Sequence, residues 1–65
     1  MKITVNGTAR ETAAPTLAAL LIEMDLGMAK VATALNEGFV PAPQRAATPL
    51  ADGDRVEIVA PRQGG

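Results

Sequence analysis

Hydrophobic positions along the chain switch between two periods. In "KITVNG", Ile3 and Val5 alternate with Lys2 and Thr4, the two-residue period of a half-buried strand. Asn6-Gly7 follows. Both residues tolerate the positive φ of a type I′ turn, so the pair predicts a hairpin and a second, weakly patterned strand from Thr8 to about Thr12. In "APTLAALLIEMDLG" the period lengthens: Leu17, Leu20, Leu21 and Met24 fall at i, i+3, i+4 and i+7, one stripe of an amphipathic helix. An ordinary helix of roughly eleven residues is expected, with Thr16 as its N-cap and Gly27 as the left-handed residue that ends it.

The strand period then returns. In "KVATALNEGFVP", Val31, Thr33 and Leu35 share one face, and Ala32 and Ala34 the other. "NEG" reads as a tight turn into a short strand at Phe39-Val40, which Pro41 and Pro43 end because neither can donate to a ladder. "APQRAATPLADGD" is a connection of small and polar residues whose large apolar residue, Leu50, is expected to tuck under the sheet. In "RVEIVA", Val56 and Ile58 point to one face; Arg55, Glu57 and Val59 point to the other. The order is strand, strand, helix, strand, short strand, loop, strand. One helix cannot cover both faces of a sheet, so the sheet must be mixed or antiparallel with one face in water, an α+β arrangement.

Composition tightens this picture. At 65 residues the chain holds one domain at most, and such a domain buries only about 60% of its unfolded surface. There is no Cys and no His, so neither a disulfide nor a zinc site can staple it. Hydrophobic residues are 48% of the chain, but thirteen of them are Ala and the one aromatic is Phe39. The core must come from Ile3, Val5, Leu17, Leu20, Leu21, Met24, Val31, Leu35, Leu50, Val56 and Ile58.

Charge narrows the function. Six basic and seven acidic residues are mixed along the chain, for a net charge of −1. No basic run supports phosphate neutralisation, which argues against nucleic-acid binding. No apolar stretch approaches a membrane span, and the N-terminus alternates as a strand rather than running as a signal peptide. A cytoplasmic protein is the expectation, and the lack of Cys fits it. Without His there is no imidazole base or Ser/His/Asp triad; without Cys there is no thiol nucleophile. Asp52-Gly53-Asp54 lacks the further acids and distal Glu of a calcium loop and reads as a turn before the last strand. Glu23 and Asp25, two apart on a helix, do not face each other and read as a solvated face.

The C-terminal stretch "APRQGG" is what remains. Residues 1–60 are expected to form the folded domain and 61–65 a flexible tail. Pro61 stops pairing after the last strand, and five residues can span about 17 Å when extended. A Gly-Gly end can thread a narrow channel, because glycine has no side chain and bends freely. Such an end suits a chain whose own terminal carboxylate is the reactive group. That carboxylate can attack the α-phosphate of ATP, giving an acyl-adenylate open to a sulfur nucleophile. A frayed terminus is the alternative reading of the same residues.

The stretches "ATALNEGFVP" and "TPLADGDRVEIVAPRQGG", with the opening "MKITVNG" and the helix "TLAALLIEM", resemble the ThiS family, the sulfur carriers of bacterial thiamine biosynthesis. The similarity covers nearly the whole chain, and its most specific part is "DGDRVEIV" with the terminal "GG" a few residues later. It implies a ubiquitin-like β-grasp fold, a mixed sheet of four to five strands packed on one helix. It implies a carrier rather than an enzyme. An E1-like adenylyltransferase would use ATP to adenylate Gly65, with Gly64 as the slender residue beside it. A sulfurtransferase or cysteine desulfurase system would convert the carboxylate to a thiocarboxylate, and thiazole synthase would receive the sulfur. No cofactor would be held by the chain. The sequence departs from the family where Glu37-Gly38 replaces Gly-Glu after "ALN", and where Ala42 and Arg45 occupy a region that usually carries Arg and an aromatic. Val59, turned away from the helix, and Arg62 and Gln63 in the tail are candidate partner contacts. Other readings of the same tail are the small subunit of molybdopterin synthase, a ubiquitin-like modifier, or a plain β-grasp interaction domain with incidental glycines.

Overall fold

The computed structural model describes residues 1–60. Strands β1 (Lys2–Val5) and β2 (Thr8–Glu11), helix α1 (Leu17–Glu23), strands β3 (Ala32–Leu35) and β4 (Gly38–Val40), a 3-10 helix (Ala42–Ala47) and strand β5 (Arg55–Val59) follow in that order. The sheet has five strands in the order β2-β1-β5-β3-β4. β1 and β5 pair in parallel, with Val5 opposite Val56, while the β1/β2, β3/β5 and β3/β4 pairs are antiparallel. A mixed sheet of this order with one helix on one face is the β-grasp.

The hairpin signal at Asn6-Gly7 holds: φ is 51° at Asn6 and 83° at Gly7, as a type I′ turn requires. The second turn differs from the reading of "NEG" as one unit. Its two left-handed residues are Asn36 (φ 50°) and Glu37 (φ 72°), and Gly38 opens β4. β3 starts at Ala32 rather than Val31, and β2 ends at Glu11, one residue short of Thr12.

Thr16 caps α1: the Ala19 N–H donates to its hydroxyl at 3.2 Å. The helix is shorter than expected, seven residues against roughly eleven. It ends at Glu23, and the left-handed residue of its cap is Asp25, where φ is 62°. The Asp25 N–H donates to Ile22 O (3.0 Å) and the Leu26 N–H to Leu21 O (2.7 Å), the bond pair of a Schellman cap. Gly27 is therefore not the left-handed terminator. A Cβ there would sit 3.1 Å from Ile22 Cγ1, so its small size lets the chain turn back across the helix end.

Ile3, Val5, Val40 and Val56 of the sheet, Leu17 and Leu20 of the helix, and Ala14 and Leu50 of the connections form the core. Full burial of Leu17 and Leu20 contributes about 2 kcal/mol each. Met24, Leu35 and Ile58 pack at its margin, and Val31 is half-buried. Val40 and Ala14, not expected in the core, complete it. Leu50 is buried as expected, and the connection before it coils into the 3-10 helix. Two threonines are buried with both functions of the hydroxyl used. Thr12 Oγ1 donates to Glu23 Oε1 (2.8 Å) and accepts from the Ala14 N–H (3.0 Å). Thr33 Oγ1 donates to Val40 O (2.8 Å) and accepts from Arg45 Nε (2.9 Å).

Candidate functional site

The residues that lead to the C-terminal segment lie on β5, the central strand of the sheet. It is paired with β1 on one side and β3 on the other. Two turn asparagines fasten it from opposite sides. At its start, the Arg55 N–H donates to Asn36 Oδ1 (2.9 Å) and the Asn36 N–H to Arg55 O (2.7 Å). Near its end, the Ile58 N–H donates to Asn6 Oδ1 (2.8 Å) and Asn6 Nδ2 to Ile58 O (3.0 Å). Both asparagines hold a left-handed conformation that Asn tolerates better than most residues. The sequence marks them as turn formers; their grip on β5 depends on topology that no local pattern displays.

Among the described residues, nothing covers the face of the sheet opposite α1. Directly opposed residues on paired strands share a face, so the register places Phe39 opposite Ala34 and Ala32 opposite Val59 on this outer side. Val59 is 61% exposed and Phe39 71% exposed. Val59 thus points away from the helix, as its alternation with Ile58 predicts. Together the four residues make an apolar strip reaching from edge strand β4 to the end of β5. Val59 alone stood out in the sequence; Phe39, Ala32 and Ala34 join it only through strand pairing. The other end of the outer face is polar, with Lys2, Thr4 and Arg55, and Glu57, paired with Ala34, borders the strip. Arg55 reaches Glu37 at 3.6 Å with both side chains exposed, an ion pair worth little in water.

Asp52, Gly53 and Asp54 form the turn into β5. Gly53 has φ of 89°. Asp52 Oδ1 accepts from the Lys2 N–H (2.7 Å), Asp54 Oδ2 from the Ala51 N–H (2.8 Å) and Asp54 Oδ1 from Asn36 Nδ2 (3.1 Å). These carboxylates build structure. Among the described residues no group of three or more His, Cys, Asp or Glu side chains could hold a metal, and no helix is long and apolar enough to cross a membrane.

Glu23 departs from the solvated-face reading. Besides accepting from Thr12, it takes two bonds on Oε2 from Arg10, from Nε at 3.1 Å and Nη2 at 2.9 Å. The Thr12 hydroxyl first, and the Arg10 guanidinium after it, hold its carboxyl below the ordinary carboxylate range. The group ties β2 to the end of α1. Asp25 lies past the helix, in the cap. Arg62, Gln63, Gly64 and Gly65 lie outside the described residues.

The model of the ThiS family matches residues 3–65, nearly the full length and including the terminal glycines. A crystal structure of a thiamine biosynthesis protein (ThiS) from Geobacter metallireducens is similar to this chain. The TM-score is 0.85 and the identity 29%, with all of both chains covered. An NMR solution structure of a thiamine biosynthesis protein from the same organism gives a TM-score of 0.77 at 29% identity, covering all of this chain and 88% of that one. Comparison with curated proteins gives no significant match. The β-grasp fold, the full-length agreement and the family match together identify this chain as a member of the ThiS family.

Proposed function

We propose that this chain is a sulfur carrier of thiamine biosynthesis, a substrate for partner enzymes rather than an enzyme. The observation that carries the reading is the family match through residue 65, which brings the terminal Gly64-Gly65 within the family pattern. The Gly65 carboxylate attacks the α-phosphorus of ATP on an E1-like adenylyltransferase, and pyrophosphate leaves. A sulfur nucleophile at the oxidation level of sulfide, supplied by a sulfurtransferase or cysteine desulfurase system, attacks the acyl carbon. AMP leaves with the oxygen that carried it, and a thiocarboxylate remains. Thiazole synthase then takes the sulfur. Gly64 lacks a side chain, which suits passage through a narrow channel. ATP is bound by the partner.

The strip Phe39, Ala34, Ala32 and Val59 is the surface we assign to docking, with Arg62 and Gln63 as further contacts. Large exposed apolar residues gathered into one patch are a recurrent sign of a partner site. Pyrophosphate release from ATP, with the adenylating enzyme and this chain mixed, tests the reading. Deleting Gly64 and Gly65 should abolish release while leaving the urea midpoint unchanged. Phe39→Asp should weaken docking at least tenfold, because it sets a charge in the apolar contact. Release from the truncated chain at the full rate would contradict the carrier role.

A further inference from the structure

β1 runs out before β5 does. Their parallel pairing stops at Val5 opposite Val56, because the chain turns away at Asn6-Gly7. β5 continues, and on its β3 side Glu57, Ile58 and Val59 stay paired with Ala34, Thr33 and Ala32. On its β1 side a side chain takes over. The backbone rungs there are the Thr4 N–H to Asp54 O (3.0 Å) and the Asn6 N–H to Val56 O (2.9 Å). The next rung is the Asn6 amide, donating to Ile58 O (3.0 Å) and accepting from the Ile58 N–H (2.8 Å). A primary amide carries both the donor and the acceptor of a peptide group. Asn6 therefore imitates the strand residue that a longer β1 would have placed beside Ile58.

We propose that Asn6 is a positioning residue for the end of β5: by holding both backbone groups of Ile58 it fixes the strand end, Val59 and Ala60, that is presented to an enzyme acting on Gly65. The inference rests on the carrier reading above. Ile58 lies three residues before Pro61. Ordering backbone opposes association. A strand end already held on both sides presents its continuation to a partner without that loss, and one held only by β3 does not. Asn36 supplies a built-in comparison. It has the same left-handed conformation (φ 50°) and an equivalent amide, accepting from the Arg55 N–H and donating to Asp54 Oδ1. It grips β5 at the far end from the tail.

Asn6→Gly and Asn36→Gly each remove an amide while keeping a residue that favours positive φ. Both are compared with the unaltered chain by ATP–pyrophosphate exchange on the adenylating enzyme, at a temperature where circular dichroism shows all three folded. Asn6→Gly should lower kcat/KM about tenfold, mainly through KM, and speed hydrogen exchange of the Ile58 amide with the Leu20 amide unchanged. Asn36→Gly should stay within about twofold in kcat/KM despite a similar fall in urea midpoint. Asn6→Asp keeps an acceptor but sets a carboxylate oxygen against Ile58 O, and should fall at least as far as Asn6→Gly. Equal losses in the two glycine variants, or an unchanged Ile58 exchange rate in Asn6→Gly, would overturn the assignment. An unaltered chain that supports no exchange of pyrophosphate contradicts the carrier reading instead, and the Ile58 exchange rate still tests the anchor separately.

Discussion

Glu37 sits at φ 72°, where an L-residue other than Gly or Asn is strained by its Cβ. Its exposed contact with Arg55 at 3.6 Å offsets little of this. Glu37→Gly should therefore stabilise the protein, by about 0.5–1 kcal/mol, read as a higher urea midpoint at unchanged slope. Glu23 carries the opposite lesson. Its carboxyl is held below the ordinary value of 4.5 by Thr12 and Arg10, so the unfolded chain binds its proton more readily than the folded one. The stability it contributes is in place above about pH 4.5 and is lost as pH falls through the lower folded value. In Glu23→Gln, stability should fall less steeply with acid below pH 4.5 than in the unaltered chain, measured by urea unfolding at several acidic pH values. From sequence, Glu23 is a polar residue on a helix flank; its partners are Arg10 of β2 and Thr12 just after it, and only the packing of that strand's end against the helix end shows them.

At the scale of elements, local chemistry foretold what local chemistry controls. Asn6-Gly7 specifies its own turn, Thr16 caps α1, and the alternation of Val56 and Ile58 with Val59 orients β5. Thr16→Ala should destabilise by about 1 kcal/mol through loss of the bond from the Ala19 N–H, seen as an earlier thermal transition with α1 amides exchanging faster. Where tertiary contact decides, the pattern misleads. The apolar stripe runs on to Met24, but the chain leaves the helix after Glu23 because Leu26 folds back and its N–H satisfies Leu21 O. Gly27 looked like the terminator, and its role is clearance beside Ile22. Val40 is the last residue of a short edge strand, as its sequence suggests, and is also core, since β4 pairs with β3 with Val40 on the helix side. The 3-10 helix carries no apolar period and could not be told from a loop.

At the scale of the molecule, a small core built from few large residues holds one firm sheet, and the sheet offers two distinct ends on its open face. One end is charged. The other gathers Phe39, Ala34, Ala32 and Val59 near the point where β5 leads into residues 61–65. The proposed carrier pair Gly64-Gly65 is singled out in the sequence because a Gly-Gly after a polar spacer is a pattern within the chain itself, and it lies outside the described residues. The apolar strip at the end of β5 has no such local signature, because Phe39 and Val59 are twenty residues apart in sequence and meet only through β3. The proposed function requires that the Gly65 carboxyl carry sulfur. Intact mass measurement of the protein from its native host under thiamine limitation tests it most directly. The account predicts a species in which one oxygen is replaced by sulfur, with fragmentation placing the change at the last residue. A terminus that remains an ordinary carboxylate under that limitation would contradict it.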